Sequence, residues 1–98
     1  MIWNNKYWVK ETDPDKLKKW YEKLLLKSGF KILKVVEYHF KPQGYTVLFL
    51  LAESHLAIHT FPEENKSYIE ISSCIEDKYR RFINEENSKL MRKTELIK

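Results

Sequence analysis

The sequence has little of what punctuates or loosens a chain. Two glycines and three prolines in 98 residues leave no composition for a flexible linker or a low-complexity tract. The single cysteine, Cys74, excludes an internal disulfide framework and a zinc site of the multi-cysteine kind. The longest apolar run, Val47 to Ala52, falls far short of the ~20 residues of a membrane span. Met1 to Lys6 lacks the basic-then-apolar layout of a signal peptide. A reducing, cytosolic setting with no membrane partner is therefore expected. No internal repeat is visible.

What is present is apolar and aromatic. Hydrophobic residues make up 43% of the chain and aromatics 14%, enough to pack one domain, 1–98, yet one small enough that association would add stability. Lys and Arg total 18 against 14 Asp and Glu, a net charge of +4. The two signs alternate in most segments, so Lys78-Tyr79-Arg80-Arg81 and Arg92-Lys93 read as a solvated helix face and not as a nucleic-acid surface.

Ile2 to Val9 is aromatic-rich and reads as a first strand. Asp13 then suits a helix N-cap, with Pro14 in the first helical position and Asp15 near the positive end of the dipole. Leu17, Trp20, Tyr21, Leu24 and Leu25 follow at the spacing of one apolar helix face, and Gly29 supplies the stop. Ile32 to Phe40, Tyr45 to Ala52, Leu56 to Phe61 and Ser67 to Cys74 read as further strands. Lys41 to Gly44, Glu53 to His55 and Pro62 to Lys66 connect them, and the three-residue link predicts a tight hairpin. A last helix, about Glu76 to Met91, carries Tyr79, Phe82, Ile83 and Leu90 on one side. This order predicts an α+β fold: a two-layer sandwich with two helices on one face of an antiparallel sheet. Val47 to Leu51, apolar on both faces, calls for a cover on the other face, which a second copy in a symmetric homodimer would provide.

Three reactive residue types fall in and after the hairpin: Ser54, His59 and Cys74. Taken alone, each has a structural reading as a turn serine, a hydrogen-bonded strand histidine and a packed thiol. The words around them say more. The run Ala52-Glu53-Ser54-His55-Leu56-Ala57-Ile58-His59-Thr60-Phe61-Pro62-Glu63 resembles the self-cleavage segment of the small prokaryotic S-adenosylmethionine decarboxylases. Cys74 stands at that family's spacing, and Phe40-Lys41-Pro42-Gln43-Gly44-Tyr45-Thr46 is similar to its Phe-x-Pro-Gln-Gly-x-Ser segment. The resemblance runs from about residue 39 to 74 without a gap.

The resemblance implies that family's fold and a self-made cofactor. The Ser54 hydroxyl would attack the Glu53 carbonyl, turning the amide into an ester. Elimination and hydrolysis would then leave chains 1–53 and 54–98, the second headed by a pyruvoyl group in place of Ser54. That ketone would take the substrate amine as a Schiff base and accept the electrons released with carbon dioxide. Cys74 is implied as proton donor, fitting because a thiol ordinarily keeps its proton at neutral pH. His59 and Thr46 are implied in processing, and Phe40 and Glu63 in holding the adenosyl part of the substrate, an aromatic face for adenine and sulfonium and a carboxylate for the ribose. The implied pathway is polyamine, that is spermidine, synthesis. The chain departs from the family pattern in several places. Thr46 replaces a serine, Ile75 stands where glycine is common, Glu70 replaces an aspartate, and Glu64-Asn65-Lys66 and the first strand differ. These changes keep arginine or ornithine open as substrates, and keep open a non-processing regulatory relative.

Overall fold

The computed structural model describes residues 1–93 and 96–97, with side chains described as far as Ser88. The chain runs β1 (Trp3–Val9), α1 (Pro14–Lys27), β2 (Ile32–His39), β3 (Tyr45–Leu51), β4 (Ser54–Phe61), a short 3-10 turn (Pro62–Glu64), β5 (Lys66–Ser73), α2 (Glu76–Lys93) and β6 (Leu96–Ile97). Among the described residues the strands form one antiparallel sheet in the order β2-β3-β4-β5-β1-β6. The two-layer α+β architecture is as the sequence predicts. The two-residue β6 was not anticipated.

Helix α1 starts where capping chemistry dictates. The Asp13 carboxylate accepts from the Lys16 N–H at 2.9 Å, Pro14 opens the first turn, and such a cap is worth about 1 kcal/mol. The chain leaves the helix through Gly29 at φ +96°, a conformation open to glycine at little cost. Leu17, Tyr21, Leu24 and Leu25 from α1 and Phe82 from α2 meet Val47, Phe49, Leu51, Leu56, Ile58, Ile69 and Ile71 of the sheet in one buried core. Burying each large side chain contributes about 1.5–3 kcal/mol. Tyr79 and Ile83 pack against its edge, as expected of the last helix. The Leu90 side chain lies outside the described residues.

Arg80 pairs with Glu76 at 2.9 Å, and Arg81 reaches the Ser28 carbonyl at 3.4 Å. The basic stretch of α2 thus serves its own helix and the end of α1. Under α2 lies a buried polar cluster: the Tyr7 hydroxyl donates to the Glu86 carboxylate and lies 3.3 Å from the Tyr21 hydroxyl. Burial, and then the Glu86 charge, push the Tyr7 phenol well above its ordinary pKa. Glu86 is 1% exposed, and a carboxylate in such a place depends on its donors.

Among the described residues no helix covers the opposite face of the sheet. Val36 and Tyr38 of β2 and Leu48 and Leu50 of β3 are 44–63% exposed there. They alternate with core residues because successive strand side chains point to opposite faces. Among the described residues no helix is long and apolar enough to cross a membrane.

Candidate active site

The β3–β4 hairpin organises the site. Its last pair is Leu51 with Ser54, so the turn is Ala52–Glu53 and not the three residues Glu53 to His55. Ser54 and His55 belong to the strand because Leu51 and Leu50 stand opposite to pair with them. Two-residue hairpin turns normally need positive φ at the first central residue. Here only the second, Glu53, has it, at φ 60°. A side chain held in that region costs about 1–3 kcal/mol, and the strained residue is the one preceding Ser54.

Strand β5 closes on this corner. Ser54 pairs with Ser73, and its hydroxyl donates to the Ser73 Oγ at 2.6 Å. The Ser73 Oγ also accepts from the Ile75 N–H at 2.9 Å. One residue on, the Cys74 N–H donates to the Glu53 carbonyl at 3.2 Å. Ser54 and Ser73 are buried, whereas Cys74 is exposed. Cys74 was expected as the last residue of a strand. It lies one position past β5, free of the ladder and beside the Glu53–Ser54 peptide. Ser73 is a further site residue that the local motif does not mark. Its signal was a hydroxyl one residue before the thiol, visible only once the β4–β5 register is known.

The other predicted residues gather at the far end of the same hairpin. Thr46 pairs with His59, and the Thr46 Oγ1 lies 2.8 Å from the His59 Nδ1. In the tautomer whose Nδ1–H donates to the threonine, Nε2 is the basic nitrogen; in the other, the threonine hydroxyl donates to Nδ1. The imidazole also stacks near Tyr68, ring centroids 6.2 Å apart. Phe40 follows the end of β2, 49% exposed, with its ring 4.8 Å from that of Tyr38. A groove of about 320 Å³ is lined there by His39, Phe40, Gln43, Tyr45, Thr60 and Pro62. Glu63 is exposed in the short turn after β4. Lys66 lies 4.2 Å above the Trp8 ring and 3.5 Å from Glu64.

The predicted set therefore splits in two. Glu53, Ser54 and Cys74 stand at the turn end, while Phe40, Thr46, His59 and Glu63 stand at the open end. Ser54 and His59 are five residues apart on one strand, roughly 16 Å at about 3.3 Å per residue. An odd separation also puts their side chains on opposite faces. Ser54 points to the helices with Leu56 and Ile58, and His59 to the uncovered face. Within one chain the two do not meet. Among the described residues no group of His, Cys, Asp and Glu is placed to hold a metal ion.

The chain is similar to known proteins of one family. The profile of the family described as S-adenosylmethionine decarboxylase matches residues 9–96. An S-adenosylmethionine decarboxylase proenzyme of Bacillus cereus is 51% identical over 47 residues, covering 48% of this chain and 38% of that protein. One from Geobacillus kaustophilus is 40% identical over 65 residues, 66% of this chain and 52% of that protein. The matched stretch thus spans about half the length of these relatives, or less. The crystal structure of the adenosylmethionine decarboxylase from Aquifex aeolicus superposes with a TM-score of 0.68 at 23% identity. It covers 85% of this chain and 73% of that one, a likeness of fold.

Proposed function

The chain belongs to the S-adenosylmethionine decarboxylase family, and from that premise we propose that it is the precursor of a pyruvoyl-dependent decarboxylase of S-adenosylmethionine, serving polyamine synthesis. One observation carries the reading. The Glu53 carbonyl, at a strained corner, accepts the Cys74 N–H at 3.2 Å while the hydroxyl of the next residue, Ser54, is already held.

The turn end fits a pyruvoyl group made from Ser54. The Ser54 Oγ attacks the Glu53 carbonyl carbon, and the Cys74 N–H supports the charge that develops on the carbonyl oxygen. The left-handed Glu53 backbone raises the energy of the intact amide and lowers the barrier to leaving it. The products are chains 1–53 and 54–98. Once formed, the pyruvoyl ketone supplies an electron-withdrawing carbonyl for the amine of the substrate. The thiol of Cys74, an exposed residue whose backbone binds the same peptide, delivers a proton to the substrate carbon that loses carbon dioxide. The Phe40 ring and the Glu63 carboxylate suit adenine and the ribose hydroxyls.

Distance decides how the remaining residues take part. His59 is the base for the Ser54 α-proton in this reading, with Thr46 holding its ring, yet it lies at the other end of its own hairpin. A two-fold axis across the uncovered face lays the open end of one chain against the turn end of another. The Thr46–His59 pair, Phe40 and Glu63 then serve the Ser54 of a second copy. Leu48, Leu50, Val36 and Tyr38, 44–63% exposed in the single chain, supply the apolar surface for a homodimer.

Intact mass tests the reading. The purified protein is expected as two fragments divided between Glu53 and Ser54, and Ser54→Ala as one uncut chain that releases no carbon dioxide. Carbon dioxide is expected from S-adenosylmethionine and not from arginine or ornithine. A wild-type chain that stays whole and inactive on long incubation overturns the proposal in favour of a regulatory relative.

A further inference from the structure

The turn Ser73-Cys74-Ile75 grips both partners of the bond that self-cleavage would form. Its backbone holds the electrophile, through the Cys74 N–H on the Glu53 carbonyl at 3.2 Å. Its one buried hydroxyl holds the nucleophile, through the Ser54 Oγ–Ser73 Oγ bond of 2.6 Å. Ser73 is 1% exposed and is itself pinned, because its Oγ accepts the Ile75 N–H at 2.9 Å and lies 3.4 Å from the Ile75 carbonyl. A serine hydroxyl has one proton and two lone pairs. With the Ser54 proton directed at a fixed acceptor, the lone pairs of that oxygen are left for the carbonyl carbon.

We propose that Ser73 is a positioning residue for self-cleavage, orienting the Ser54 hydroxyl for attack on Glu53; this rests on the cleavage reading above. In that step the Ser54 Oγ–Glu53 carbon bond forms and the Glu53 carbon–Ser54 nitrogen bond breaks. The hydroxyl proton passes to the departing nitrogen, so nothing is oxidised and no co-reactant is consumed. Ser73 acts before the ester exists and touches no substrate.

The experiment follows scission of freshly synthesised chains by intact mass, for wild type and for Ser73→Ala, Ser73→Thr and Ser73→Val. Threonine and valine have the same shape, so their difference reads the hydroxyl apart from packing. Ser73→Ala is expected to slow scission about 100-fold, the usual scale for a misplaced reacting group. Ser73→Val should be as slow, and Ser73→Thr should recover most of the rate. Hydroxylamine, which cuts an ester and spares an amide, should leave the Ala and Val chains whole. Scission of Ser73→Ala or Ser73→Val at the wild-type rate overturns the proposal, as does a threonine variant no faster than the valine one. Accumulation of a hydroxylamine-sensitive chain overturns it too, by putting the block after the attack. A wild-type chain that never cleaves removes the cleavage reading itself, and this inference with it.

Discussion

The two ends of the β3–β4 hairpin are built on different plans. At the turn end, hydrogen bonds of 2.6 and 3.2 Å within one chain join Ser54 to Ser73 and Cys74 to Glu53. Ser54 and Ser73 are buried there, and the backbone of Glu53 is strained. At the open end, Thr46 and His59 meet at 2.8 Å, while Phe40 is half exposed and Glu63 exposed. A step in which a chain rearranges its own backbone needs atoms held before the event. A step that receives a ligand or a second copy needs surface left free. The two plans separate these demands along about 16 Å of a single strand.

The largest effect would come from dividing the ends between two chains. Ser54→Ala and His59→Ala should each stay uncut alone. Co-expressed, they should yield scission of the His59→Ala chain only, read by fragment mass. No scission in the mixture would break the comparison, since His59 would then serve its own chain. Next in size is the uncovered face. Leu50→Lys would set a charge in the proposed interface at a cost of roughly 3–5 kcal/mol per site, giving a monomer on sedimentation that is also uncut.

Smaller effects sharpen the contrast from outside it. Tyr7→Phe, under α2, should cost about 1–3 kcal/mol in urea unfolding at neutral pH by leaving the buried Glu86 short of a donor. Scission should proceed unchanged. Because the folded chain holds the Tyr7 phenol well above its ordinary pKa, the unfolded chain loses that proton first. Wild-type stability should therefore fall as pH rises above about 10, and the variant should lose less. Smallest is Glu53→Gly, which relieves the left-handed backbone. The precursor should gain roughly 0.5–1 kcal/mol and cut more slowly.

Local chemistry was legible in the residues. Asp13-Pro14 marks a helix start because capping depends on three or four neighbouring atoms, and Leu17 to Leu25 mark its buried face by spacing alone. The hairpin was legible, though not its two-residue turn, because the placement of Ser54 and His55 depends on which β3 residues face them. The candidate site was legible as a set of residues and not as a constellation. Parity along a strand already separates Ser54 from His59, an odd step of five. The nearness of Cys74 to Glu53, and of Ser73 to Ser54, arises from the β4–β5 register, which sets Ser54 opposite Ser73, 19 residues further along the chain. Thr46 beside His59 is of the same kind, fixed by pairing between β3 and β4.

A break after Glu53 would fall between two strands that stay zipped from Thr46–His59 to Leu51–Ser54. The halves would remain clasped with no covalent link, and the nick would be silent to the fold. Unfolding would reveal it. The uncut chain can find its way back alone, at a rate indifferent to dilution, whereas the cut one must meet its other half and would refold more slowly the thinner the solution. Maturation would thus turn a reversible folder into a protein whose shape is a memory of having once been a single piece.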